Sequence, residues 1–293
     1  MTRYIFMVFA GACSFGILST FVKLAYREGY SAAEISLSQA FMGLIVLGLL
    51  QFLFSREKGF KGGLPVLFTG VTIGLTTFFY YVSVVYIPAS LSIVLLMQCT
   101  WMGILLDWVL FKKQPGWVQG FVTLLILAGT IMASGIITNP ALEISLKGVL
   151  YALASAFCYA GFIVANSRTG QQMATLKKST IIMLGSTLSI FIVNAHQLVV
   201  SNHFDAGILK WALFLSLFGT IIPPVLFAKG IPKVGAGISA IVMTAELPVA
   251  VICSHIVLQE PVGWVQWVGV FVMLLAIGLL QFLRRNFEKG KSE

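Results

Sequence analysis

Of the chain's 293 residues, 58% are hydrophobic and only 10% are charged, with a mean hydropathy of +0.96. An ordinary soluble domain carries about 25% charge, so this composition excludes a single water-soluble core and points to a protein whose solvent is the lipid bilayer. The formal net charge of +9 would suggest a nucleic-acid partner in a soluble protein; here the loops account for it, and no such partner is expected.

A hydrocarbon core of about 30 Å needs about 20 apolar residues per helical crossing. Ten such stretches follow one another, at 4–26, 33–54, 64–86, 89–111, 117–135, 146–167, 178–199, 208–230, 235–257 and 263–284. Their hydrophobicity is continuous rather than alternating, and backbone groups in lipid must be satisfied within each segment, so helices are predicted and a barrel is not. The expected fold class is an all-α membrane bundle of ten helices, with little chain left for a soluble domain.

The first stretch has only Arg3 among the basic residues ahead of it, no small-residue cleavage site, and more length than a signal-peptide core, so it is expected to stay in the mature protein. Ser14 lies within it, and Lys23 and Arg27 stand a turn apart near its end, where long side chains snorkel to the interface. A Lys23 turned inward would instead meet a substrate carboxylate. The third stretch holds Thr-Thr-Phe-Phe-Tyr-Tyr at 76–81. Thr77 and Tyr81, at i and i+4, share a face, and with Tyr80 they are candidates to line a cavity for a planar or amphipathic solute; packing or lipid contact is the plainer role for such aromatics. Gln98 and Trp101 offer similar chemistry in the fourth stretch. Asp107, one turn from that stretch's end and within reach of Lys112 and Lys113, reads as an anchor. In the sixth, Cys158, Tyr159 and Asn166 are candidates, Ser14 being the counterpart of Cys158. Pro223 and Pro224 in the eighth must interrupt regular hydrogen bonding, and so are predicted to face protein or a cavity rather than lipid.

The ninth stretch carries the deepest charge-capable group. Glu246 is eleven residues from either end, about 16 Å deep at about 1.5 Å per residue. A carboxylate there costs about 2.5 to 3.5 kcal/mol on insertion scales, and intramembrane acids usually face a cavity and mark substrate or proton pathways; a neutral Glu hydrogen-bonded to a neighbouring helix is the structural alternative. Pro248, two residues on, removes the donor for the Thr244 carbonyl and is expected to bend the helix there, as a hinge. His255, nine residues after Glu246, falls on the opposite face of the helix, and His196 and His203 lie at or beyond the end of the seventh stretch. Cys13, Cys99, Cys158 and Cys253 have no paired spacing and read as packing residues. No metal site or cofactor is expected.

With the N-terminus in the cytoplasm, 15 of the 19 Lys and Arg residues fall in inside loops and tails, and only Lys23, Arg27, Lys147 and Lys210 fall outside. Basic residues collect on the cytoplasmic side of short loops. Both termini are therefore expected in the cytoplasm, in a multi-pass protein of the cell (inner) membrane. The outer loops carry the acids Glu28, Glu34, Glu143, Asp205 and Glu260.

The tetrapeptide Gly-Trp-Val-Gln occurs at 116–119 and again at 263–266, and Ile87-Pro88 matches Ile231-Pro232 with a three-residue insertion just after. More weakly, AGACSFG at 10–16 matches ASAFCYA at 154–160. One five-helix unit is used twice, at 1–135 and 136–293, and an odd helix number makes the second copy inverted, the arrangement of many secondary transporters. The second half, with Pro248, Glu260, Gly263 and Gly269, resembles the terminal portion of an EamA-type carrier of the drug/metabolite transporter superfamily. That resemblance implies ten helices, cytoplasmic termini and a cavity lined mainly by helices 1, 3, 4, 6, 8 and 9. It implies transport of small metabolites, often outward, with amino acids the first substrate class to consider. The first half departs from the pattern: Trp101 stands where Pro248 does and Lys113 where Glu260 does.

The function expected is a secondary transporter working by alternating access of the two repeats on a small amphipathic solute, with protons as a further partner through Glu246. No nucleotide-binding fingerprint appears. A membrane-embedded enzyme would need clustered acids or histidines at mid-membrane, where only Glu246 stands; a channel or sensor is the third reading. Oligomeric state is not legible.

Overall fold

A computed structural model describes residues 2–54, 62–87, 89–134, 145–200, 205–259 and 262–289. All ordered elements in it are helical: α1 Thr2–Arg27, α2 Ala32–Phe54, α3 Gly63–Tyr86, α4 Ala89–Leu96, α5 Cys99–Phe111, α6 Trp117–Ala133, α7 Leu146–Arg168, α8 Thr175–Val200, α9 Ile208–Leu215, a π-helical turn Ser216–Ile221, α10 Ile222–Val234, α11 Ala236–Met243, α12 Glu246–Leu258 and α13 Trp264–Lys289. Joined end to end where they are collinear, these make ten crossings. Eight are long and apolar enough to cross a membrane, and two shorter apolar helices, at Trp117–Ala133 and Trp264–Leu279, complete the set. Pro88, Glu143, His203 and Glu260 lie outside the described residues.

The two halves repeat each other with a register difference of 144 residues in their first helices and 147 in their last. The two Gly-Trp-Val-Gln copies do the same local work. Gln119 accepts from the Gly116 N–H at 3.2 Å and Gln266 from the Gly263 N–H at 2.9 Å, satisfying a donor that the helix start leaves open. Each copy follows a helix that ends in a left-handed residue, Lys112 (φ 56°) in the first and Gln259 (φ 54°) in the second. Trp117 and Trp264 are highly exposed, at opposite ends of the bundle, as suits interfacial indoles. We call the end bearing the N-terminus the amino-terminal face and the other the far face.

The fourth and ninth crossings are not continuous. Each has a tight turn at mid-length, at Met97–Gln98 and at Thr244–Ala245, positions 147 residues apart. In both, hydrogen bonds switch from the four-residue to the three-residue spacing: Gln98 N–H to Leu95 and Thr100 N–H to Met97 in one, Ala245 N–H to Val242 and Leu247 N–H to Thr244 in the other. The second turn falls where Pro248 leaves the Thr244 carbonyl without its four-residue donor, and Leu247 takes that carbonyl instead. The break lies before the proline, and the first repeat breaks identically with Trp101 in its place. There the Thr100 hydroxyl competes for the Met97 carbonyl at 2.9 Å, a back-bond of the kind that bends helices. Pro248 fits a break that the fold already has.

Pro223 and Pro224 are buried at the start of α10, as expected of interrupted backbone. The irregularity is absorbed just upstream, where the π-helical turn lets Ser14 Oγ donate to the Phe218 carbonyl at 2.6 Å. The repeats meet most extensively where α3 packs on α7 and α8, and also along α6 and α13, where Gly129 and Gly269 bring the backbones together; a Cβ on Gly269 would lie 2.4 Å from the Ala133 nitrogen. Small residues at such crossings replace the hydrophobic driving force that lipid cannot supply.

Candidate functional site

At mid-depth, between α1, α2, α3, α4, α7 and α12, lies a cavity with about 40 Å³ of room for water centres. Its one charged group is Glu246, buried at 7% exposure. The break before it makes Glu246 the first residue of α12, so the carboxyl sits at the joint between two half-helices inside the bundle. Tyr159 donates to its Oε2 at 3.2 Å. α1 approaches closely enough to form this wall only because residue 16 is glycine: a Cβ there would stand 2.5 Å from the Glu246 carbonyl oxygen and 2.8 Å from Val249 Cβ.

The repeat symmetry runs through the site. Phe15 and Tyr159, 144 positions apart, face each other edge-on with centroids 6.4 Å apart. The counterpart of Glu246 is Cys99, the first residue of α5, buried and near enough to interact electrostatically with the carboxyl. The two repeats thus present a thiol and a carboxyl at the same structural position.

Of the residues singled out from sequence, Glu246, Tyr159, Thr77, Tyr80 and Tyr81 converge on this cavity. The others do not. Trp101 is 40% exposed on the outer surface, its indole donating to Gln98 Oε1 at 2.9 Å, and Gln98 in turn donates to the Val94 carbonyl. Ser14 is spent on Phe218. Asn166 is fully buried off the cavity, its carboxamide without a partner, while Lys178 Nζ donates to its carbonyl at 2.8 Å. Lys23 is half-buried one turn beyond the wall residue Ser19, with interactions of its own. Pro248, Pro223 and Pro224 are buried in helix packing, off the wall.

Two features escaped the sequence reading. Gln39 of the second crossing is on the wall, accepting from the Tyr81 hydroxyl at 2.9 Å; a lone amide in an apolar stretch was the available signal. The eighth crossing, expected on the wall, is absent from it, because Phe227 packs against Phe15 at 5.5 Å and Phe162 at 6.4 Å and fills that side. Among the described residues no cluster of His, Cys, Asp or Glu is arranged to hold a metal ion.

Each face carries charged contacts between helices. On the amino-terminal face Arg168 pairs with buried Asp107 at 2.9 Å and stacks over Phe111 at 4.3 Å, so Asp107 is held by the sixth crossing and not by Lys112 or Lys113 as its position suggested. On the far face Glu28 accepts from Lys210 Nζ and Trp211 Nε1, both at 2.8 Å, and Tyr30 donates to Asp205 at 2.7 Å. Those donors hold the Glu28 and Asp205 carboxyls below their usual range, and the carboxylate beside it pushes the Tyr30 hydroxyl up to about 12.

The family profile described as the EamA-like transporter family matches residues 2–135 and 146–282. The chain is similar to an uncharacterized transporter of Synechocystis, at 27% identity over 78% of this chain and 70% of that one. It is also similar to one of Bacillus subtilis, at 25% identity over 59% and 57%. A solved crystal structure superposes on 96% of this chain and 98% of its own with a TM-score of 0.75 at 14% identity, a likeness of fold.

Proposed function

We propose, from the premise that this chain belongs to the EamA-like transporter family, that it is a secondary carrier. It moves a small amphipathic solute bearing an amino group outward across the cell membrane by alternating access of its two repeats. The observation that carries this reading is the mid-depth cavity at the junction of the repeats, with one carboxylate and a wall of hydroxyls and aromatic rings. The excess of Lys and Arg on the amino-terminal side supports a cytoplasmic location for that face. Glu246 is the group for solute or proton coupling, and the mid-helix turns of the fourth and ninth crossings are the points about which half-helices tilt. The ion pairs at the two faces are the contacts that must part in turn.

Flux into proteoliposomes tests this. Of the amino acids and amines offered on one side, at least one should move down its gradient in a protein-dependent way, and Glu246→Gln should lower that flux at least tenfold while the protein stays folded. A folded, monodisperse protein that passes none of them would end the carrier reading and favour a sensor.

A further inference from the structure

Resting on the carrier reading, we propose that the Glu246 cavity is built for the ammonium group of a small organic amine that has no carboxylate of its own, so that free amino acids are excluded. The first ground is the charge on the wall: one carboxylate, and no Lys, Arg or His. Repeat symmetry does not restore a second charge, because Cys99 occupies the matching position.

The second ground is the count of donors and acceptors. Thr76 and Thr77 spend their hydroxyl protons on the Thr72 and Ile73 carbonyls, at 2.8 and 3.1 Å. Tyr81 spends its proton on Gln39 and Tyr159 spends its own on Glu246. The Gln39 amide nitrogen lies against Gly219 of the eighth crossing. What the wall offers a solute is therefore mostly lone pairs, together with the hydroxyls of Ser19 and Tyr80, which lie against each other. An ammonium group has three donors and no acceptor. It matches this surplus. A carboxylate brought into the same space would find few donors, the Ser19 and Tyr80 hydroxyls, and the repulsion of Glu246, with little water to offset either.

The third ground is size. At roughly 10 to 15 Å³ per water centre, the cavity has room for about three waters, which suits an amine head and a short chain.

The test is a set of matched ligands on the purified protein, read by thermal unfolding, because a ligand that binds the folded state raises its midpoint. Ethylamine, alanine and ethanol form one set; isobutylamine, valine and isobutanol form the other. We expect each amine to bind at least about tenfold more tightly than its alcohol and its amino acid, the worth of one charge-assisted contact, and Glu246→Gln to erase that preference. Tyr80→Phe, which removes no charge, should weaken amine binding a few-fold. If an amino acid or an alcohol binds as tightly as its amine, or if no amine binds, the inference is wrong. Flux separates this from the carrier reading. Valine moving while isobutylamine does not would leave the carrier and remove the amine; isobutylamine binding without moving would leave the site and remove the carrier.

Discussion

The residue that opens the second half of the fourth crossing is Cys99, and the one that opens the second half of the ninth, 147 positions on, is Glu246. Around them the backbone is the same: a turn with three-residue hydrogen bonds, a half-helix of 13 residues, a left-handed residue at its end and a Gly-x-x-Gln start to the next helix. The chemistry is not the same. One joint has a proline, the other a tryptophan facing lipid; one has a carboxylate on the cavity, the other a thiol beneath it. The comparison teaches that the joint belongs to the repeat, and that the carboxyl was placed on one copy of it. Neither the proline nor the acid is needed to make the turn.

The sharpest way to break that comparison is at the helices that buttress the joints. Ala160 of α7 is the counterpart of Gly16 of α1 and carries a Cβ. At Gly16 the same atom would strike the Glu246 carbonyl, so α1 packs on its joint more tightly than α7 does. Gly16→Val should cost about 3 kcal/mol or more, since overpacking against backbone has no rotamer to yield. Thermal unfolding and size-exclusion behaviour in detergent read this, and an unchanged midpoint would mean that α1 can withdraw. Substitution within the joints comes next. Cys99→Ser should leave stability within about 1 kcal/mol and flux nearly unchanged, whereas Cys99→Glu, by placing a second carboxyl beside the first, should impair both. Equal tolerance of Ser and Glu at residue 99 would show that the two positions do not communicate.

The faces give a smaller effect. Asp107 is buried and its partner Arg168 is 39% exposed, so Asp107→Asn should cost about 1 to 2 kcal/mol, less than a fully buried pair would. The counterpart of Asp107 is Ser254, whose hydroxyl donates within its own helix to the Val251 carbonyl; Ser254→Ala should cost less than about 0.5 kcal/mol. A double-mutant cycle with Arg168→Gln separates the ion pair from the packing of the guanidinium on Phe111.

Much of this fold was legible because its signals are physical necessities. Ten apolar stretches of crossing length leave few alternatives to ten helices, and Gly-Trp-Val-Gln marked the repeat because a helix start needs its donors satisfied in either orientation. Glu246 and Tyr159 were legible as candidates since polar groups at that depth need partners. The break in the fourth crossing was not, because a shift to three-residue hydrogen bonding leaves no mark as plain as a proline. Trp101 misled for a related reason: depth along a helix is readable from the sequence, but which side faces lipid depends on where the other nine helices pack. Gln39 was passed over and Asn166 included for the same want of rotational information.

The smallest effect concerns the far-face ties, where the comparison is with the Asp107–Arg168 pair on the amino-terminal face. Glu28 and Asp205 are held below the ordinary carboxylate range by their donors. A depressed folded value means that their contribution is present above the unfolded values of about 4 and is lost as pH falls through the lower folded ones. Tyr30 has the opposite sign: its contribution is present below the unfolded value of about 10 and fades as pH rises towards about 12. The ties should therefore loosen at both extremes and hold across neutral pH. Amide exchange in the segment 26–32, followed from about pH 7 to 3 with the intrinsic rates divided out, should lose protection more in wild type than in Glu28→Gln, which has no carboxylate to protonate. The Glu28 contacts are exposed and screened by salt, so the change should shrink at high ionic strength. A loss of protection that is the same in both proteins, or indifferent to salt, would mean that the far face is held by packing of α1 and α9 and not by these charges.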